Sequence, residues 1–95
     1  MIKKKIAILG STGSIGRQTL DVVFEHKSMF EVVVLTANNN SSLLIKQAIK
    51  FKPSYVVIVN EKKYTEVKSA LKNEAINFLS GANALVEVVK IPEVE

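Results

Sequence analysis

Four runs of mostly apolar residues recur along the chain, at Lys4 to Leu9, Phe30 to Leu35, Tyr55 to Val59 and Ile76 to Leu79. The cores of the first three, Ile6-Ala7-Ile8-Leu9, Val32-Val33-Val34-Leu35 and Val56-Val57-Ile58-Val59, are unbroken and rich in β-branched side chains. That is the pattern of parallel strands covered on both faces. Between the runs the apolar spacing turns helical. A first helix is expected from Ser14 to His26, with Ile15, Thr19, Leu20, Val22, Val23 and Phe24 as its inward stripe and Asp21 and Glu25 outward. A second is expected from Ser42 to Phe51, opened by the polar cluster Asn38-Asn39-Asn40-Ser41-Ser42 and stopped by Pro53. Asn60 is a good cap for a third helix from Glu61 to Lys72, and Ala82 to Val89 reads as a fourth after Ser80-Gly81.

The resulting β-α-β-α-β-α-β-α alternation predicts an α/β, Rossmann-like parallel sheet of about four strands with flanking helices and right-handed crossovers. The expected strand order is 3-2-1-4, which makes strand one central and sets the turn behind it beside strand four, where the order reverses. A full dinucleotide-binding domain has about six strands. Residues 1–95 therefore read as the N-terminal part of a larger fold, with catalytic and C-terminal domains elsewhere and Ile91-Pro92-Glu93-Val94-Glu95 leading toward a further strand.

With 47% apolar residues in a chain of 95, there is material for one core and too little for two domains. The absence of cysteine excludes a disulfide framework and thiolate metal sites. The N-terminus lacks the long apolar stretch of a signal peptide or membrane span. A cytoplasmic bacterial location is expected, or a plastid one after loss of a transit peptide. The net charge of +4 raises the question of nucleic acid, but only Lys3-Lys4-Lys5 cluster and no aromatic residues interleave with the lysines. Neither a nucleic-acid nor a membrane partner is expected.

The richest chemistry lies directly behind strand one, in Gly10-Ser11-Thr12-Gly13-Ser14-Ile15-Gly16. A strand that ends in a glycine-rich turn and feeds a helix aims free backbone N–H groups and the positive end of a helix dipole at one point, which suits the pyrophosphate of a dinucleotide. Gly10 permits the tight turn, Gly13 lets the pyrophosphate approach bare backbone, and Gly16 lets the helix close on the strand. Ser11, Thr12 and Ser14 can offer hydroxyls to the pyrophosphate or satisfy the turn's own backbone. Glycine also marks any tight strand-to-helix turn, so the motif alone admits a purely structural reading.

At the end of strand two, domains that prefer NAD carry an acid that accepts hydrogen bonds from the adenine ribose. Here that edge reads Thr36-Ala37-Asn38-Asn39-Asn40, with no carboxylate to repel a 2′-phosphate and several amides able to donate to one. NADP is favoured over NAD on this ground, while the triple Asn serves equally as a turn and helix cap. Arg17, the only arginine, can reach a phosphate, pair with Asp21 or face solvent. His26 falls at a helix end, where a cation is favoured without any catalytic role. No acid–base pair, metal cluster or nucleophile constellation emerges from the sequence.

Ile8-Leu9-Gly10-Ser11-Thr12-Gly13-Ser14-Ile15-Gly16 followed by Thr19-Leu20-Asp21-Val22-Val23 closely resembles the N-terminal NADPH-binding domain of the 1-deoxy-D-xylulose 5-phosphate reductoisomerases. Leu35-Thr36-Ala37-Asn38-Asn39-Asn40, Lys52-Pro53 and Leu79-Ser80-Gly81 match as well. The resemblance implies an oxidoreductase of isoprenoid biosynthesis that rearranges a phosphorylated ketose and reduces the product with NADPH, using a divalent Mg or Mn ion held by ligands beyond Glu95. It implies a homodimer. It implies that Thr12, Gly13, Ser14 and Ile15 contact the pyrophosphate and cofactor and that Asn38, Asn39 and Asn40 form the loop at the adenosine 2′-phosphate; Gly10, Ser11, Gly16 and Ala37 complete the expected cofactor-binding set, with no catalytic or metal residue in this chain. Many members carry a basic residue where this chain has Asn39. Two other readings are an aspartate-semialdehyde dehydrogenase type of NADP enzyme, in which alanine commonly replaces Ser11, and a non-catalytic NADP-sensing module.

Overall fold

The computed structural model describes residues 3–90, and within them each apolar run is a strand and each helically spaced segment a helix. The order is β1 (Lys4–Ile8), α1 (Ser14–Glu25), β2 (Phe30–Ala37), α2 (Ser41–Phe51), β3 (Tyr55–Ile58), a 3₁₀ turn (Glu61–Lys63), α3 (Tyr64–Ala70), β4 (Asn77–Ser80) and α4 (Ala82–Val89). The stretch Ile91 to Glu95, read as leading toward another strand, lies outside the described residues.

All strand pairs are parallel, and the sheet order is β1-β2-β3-β4. This corrects the expected 3-2-1-4 order. The reason lies in which face each helix covers. Leu20 and Val23 of α1, Leu44 and Ala48 of α2, Val67 of α3 and the adjoining Leu71 all join one buried cluster with Ile8, Val32, Leu35, Val56 and Ile58. A right-handed crossover over a given face advances the chain in a fixed direction, so three successive helices on one face carry β4 outward beyond β3. It could reach the far side of β1 in that hand only if α3 crossed on the other face. The winding reverses one element later: Ala84 and Val88 of α4 pack on the opposite face with Val33, Val34 and Val57.

Strand β1 is therefore an edge, not the centre, among the described residues. Between Ile6 and Ala7 the pairing with β2 slips by one residue, from Ile6 opposite Val32 to Ala7 opposite Val34. The extra residue explains why Val33 and Val34, though consecutive, both face the α4 side.

The inward stripe of α1 also differs from expectation. Gly16, Leu20 and Val23 are buried, at i, i+4 and i+7, whereas Ile15, Val22 and Phe24 are 78%, 54% and 44% exposed and Thr19 is exposed. Helix α1 sits so close to the turn at Gly10 and Ser11 that a glycine defines the contact line. The third helix begins as a 3₁₀ turn because Asn60 accepts from the Lys62 N–H two residues on, while the Lys63 N–H donates to the Asn60 carbonyl.

Candidate functional site

The Gly10–Gly16 turn is held against β2 and α2 by backbone bonds and by the side chain of Ser11. Gly10 adopts φ +70, a conformation open to glycine. Its N–H donates to Thr36 Oγ1 at 2.9 Å, and the Ser11 N–H donates to the Thr36 carbonyl at 2.8 Å. Ser11 is fully buried; its hydroxyl donates to Gln47 Oε1 at 2.7 Å, and Gln47 Nε2 donates back to the Ser11 carbonyl at 2.8 Å. Of the two readings of the Ser11 hydroxyl, the geometry favours the one in which it serves the turn itself: it points into the protein and locks the turn to α2. Neither Thr36 nor Gln47 was identified as part of this lock from the sequence. Gln47 could have been: it lies one turn from Leu44 on the buried face of α2, where a polar side chain demands a partner.

At the other end of the turn, Gly13 occupies the N-cap position of α1 without any side-chain cap, and the first intrahelical bond runs from the Arg17 N–H to the Gly13 carbonyl. The amides of the first turn, from Ser14 to Gly16, have no carbonyl one turn back to accept them. No acidic side chain stands in that turn to neutralise them. The positive helix end therefore lies bare beside a cleft of about 540 Å³ lined by Ala7, Ile8, Leu9, Gly10, Gly13, Ser14, Ile15, Gly16 and Thr19. Of the expected contacts, Thr12 is half-buried and does not line the cleft.

The two glycines differ in what surrounds them. A Cβ at Gly16 would lie 2.3 Å from the Gly10 carbonyl oxygen, 2.7 Å from Ser11 Cα and 2.9 Å from the Ser11 carbonyl carbon, so close packing of helix on turn requires its absence. A Cβ at Gly13 would meet only the Gly10 carbonyl oxygen, at an ordinary 3.5 Å. The fold leaves room there. A side chain at Gly13 would occupy space on the cleft side that the protein itself does not use.

The end of β2 brings its polar loop beside this turn, since Thr36 binds Gly10 and Ser11 directly. Ala37, also expected among the cofactor contacts, is 1% exposed and packs in the core, with its carbonyl accepting from the Val59 N–H. Asn38, Asn39 and Asn40 are exposed. Asn40 is the N-cap of α2, its side chain accepting from the Leu43 N–H at 3.1 Å, so for this residue the capping reading holds. Asn39 Oδ1 accepts from Asn60 Nδ2 at 3.0 Å, and the Asn38 carbonyl accepts from the Asn60 N–H at 2.9 Å. Ser41, behind them, is buried and donates to Glu66 Oε2 at 2.6 Å, which ties α2 to α3. Among the described residues no three of His, Cys, Asp and Glu come together as a metal site.

Residues 6–95 match the family model of the 1-deoxy-D-xylulose 5-phosphate reductoisomerases. Among curated relatives, proteins of that name from Phocaeicola vulgatus and Porphyromonas gingivalis are 53% and 48% identical over 89 and 94 residues, which is 94% and 99% of this chain. The chain spans 23% and 24% of their lengths. Among solved structures, a reductoisomerase of this name from Zymomonas mobilis in complex with NADPH superimposes with a TM-score of 0.87 at 35% identity, over 90% of this chain and 23% of that one. A DOX-P reductoisomerase in complex with NADPH, fosmidomycin and magnesium superimposes with a TM-score of 0.92 at 26% identity, over 97% and 23%.

Proposed function

Since this chain belongs to the 1-deoxy-D-xylulose 5-phosphate reductoisomerase family, we propose that it forms the NADPH-binding portion of an enzyme that rearranges 1-deoxy-D-xylulose 5-phosphate and reduces the product to 2-C-methyl-D-erythritol 4-phosphate. The observation that carries this reading is the uncapped N-terminus of α1, set against the Gly10–Gly16 turn and opening on a cleft. NADPH fits this arrangement. The first-turn amides at Ser14, Ile15 and Gly16 would meet the pyrophosphate, whose charge the helix dipole favours, and the bare space at Gly13 would admit it. Gly10 and Thr12 shape the turn around it, and Ser11 contributes by holding the turn in place through Gln47. Asn38 and Asn39 would stand at the adenosine 2′-phosphate, with Asn40 and Ala37 fixing their loop.

Bound NADPH supplies the hydride. What these residues do is bind and orient it, so that hydride transfer starts from a fixed geometry. The same reading takes residues 1–95 as an N-terminal part of the cofactor domain, in a homodimeric cytoplasmic enzyme that uses Mg or Mn. The carboxylates of this chain are not assigned to that ion. Neither nucleic acid nor a membrane is a partner in this reading; the lysines are dispersed, and no described helix is long and apolar enough to cross a bilayer. The test is turnover: the full-length protein, given 1-deoxy-D-xylulose 5-phosphate and Mg, should oxidise NADPH with loss of its near-ultraviolet absorbance. Absence of turnover with either Mg or Mn would count against the assignment.

A further inference from the structure

Asn60 follows β3 and caps the 3₁₀ turn, and its side chain makes two bonds that together determine which way round its amide lies. Its Oδ1 accepts from the Lys62 N–H at 3.0 Å. A backbone N–H can only donate, so the arm facing Lys62 must be the oxygen. The other arm is then the NH₂, and it donates to Asn39 Oδ1 at 3.0 Å. Asn39 is oriented in turn: its carbonyl is engaged by Asn60, and the opposite arm of its planar amide is a donor. Asn60 also donates its backbone N–H to the Asn38 carbonyl at 2.9 Å, so cap and loop are joined at two points.

We infer that Asn60 is a positioning residue for cofactor selectivity, which fixes the amide of Asn39 so that the edge of β2 offers a hydrogen-bond donor to a 2′-phosphate. The inference rests on the NADPH reading above and adds a cause for the preference. An amide NH₂ donates to a phosphate oxygen, whereas a carbonyl oxygen in its place repels the phosphate and accepts from a 2′-hydroxyl. A loop without a basic side chain at position 39 can discriminate in this way only while the amide is held one way round.

The probes are adenosine 2′,5′-bisphosphate and adenosine 5′-monophosphate, titrated calorimetrically into the full-length protein. Asn60→Asp keeps an acceptor for the Lys62 N–H but removes the donor to Asn39, which can then bond to the carboxylate only by turning over. The preference for the bisphosphate should fall by about tenfold or more. Asn60→Ser keeps a capping oxygen, adds no charge and is too short to hold Asn39, and it should lower the preference by roughly threefold. The new carboxylate could act by charge alone, and Asn39→Ala separates the two causes: in that background Asn60→Asp should change the preference by less than about threefold. An unchanged preference in Asn60→Asp or Asn60→Ser overturns the inference, as does a full effect of Asn60→Asp when Asn39 is alanine. Wild-type protein that does not distinguish the two probes overturns the NADPH reading itself.

Discussion

Gly16→Ala should destabilise the protein even though alanine is the better helix former. At an unconstrained helical position the exchange stabilises by about 1 kcal/mol. At Gly16 the added methyl would lie 2.3 Å from the Gly10 carbonyl oxygen and under 3 Å from two backbone atoms of Ser11. None of these can rotate aside, because Gly10 and Ser11 are bonded to Thr36 and Ser11 is clasped by Gln47. Helix α1 must move off the turn, loosening Leu20 and Val23, which are 3% and 5% exposed in the core. Overpacking of this kind costs about 1–3 kcal/mol, and contacts this short belong at or above the upper end. After the propensity gain, the net loss should be about 2 kcal/mol. Urea unfolding of the full-length variant, followed by circular dichroism, measures it. Gly13→Val is the matched control: its Cβ has space, so stability should fall by no more than about 1 kcal/mol for the weaker N-cap, while NADPH binding is lost. If Gly16→Ala proves as stable as the wild type, or if Gly13→Val is the more damaging to stability, the division of labour between the two glycines is wrong.

Asn39→Asp should shift preference from NADPH toward NADH, since a carboxylate repels a 2′-phosphate and accepts from a 2′-hydroxyl; affinities for both cofactors check it, and unchanged values would reduce Asn39 to a turn residue. Gln47→Leu strands the buried Ser11 carbonyl and leaves the Ser11 hydroxyl only its longer 3.2 Å bond to the Thr36 carbonyl, which should cost about 1–3 kcal/mol in urea unfolding and weaken NADPH binding through the slackened turn. Residues 1–95 alone should show no turnover with NADPH, Mn and 1-deoxy-D-xylulose 5-phosphate; activity comparable to that of the full-length protein would place the reacting groups among carboxylates here read as surface.

The elements were legible in the sequence because their signals are local. Unbroken apolar runs such as Val32 to Leu35 mark strands, Pro53 stops α2, and Asn40 and Asn60 cap where short polar side chains should. The strand order was not legible. It depends on which face α3 covers, and that is decided by Val67 and Leu71 meeting Leu44 and Ile58 across the fold, which no local spacing encodes. The same limit applies to the α1 stripe. Ile15 and Val22 look like core residues by type, but the glycine contact rotates the helix so that 16, 20 and 23 face inward. In the site, the glycine spacing and the acid-free edge of β2 could be read directly. The buried Ser11–Gln47 pair was only half legible: the apolar face of α2 marks Gln47 as needing a partner, but that partner is 36 residues away and a serine in a phosphate-type turn suggests an outward hydroxyl.

In the proposed function the turn after β1 and the loop after β2 together hold NADPH and prefer it to NADH. The most direct measurement is calorimetric titration of the full-length protein with each cofactor under one set of conditions. Tighter binding of NADPH, with that preference abolished or reversed in Asn39→Asp, is the predicted result; equal or tighter binding of NADH by the wild type would contradict it.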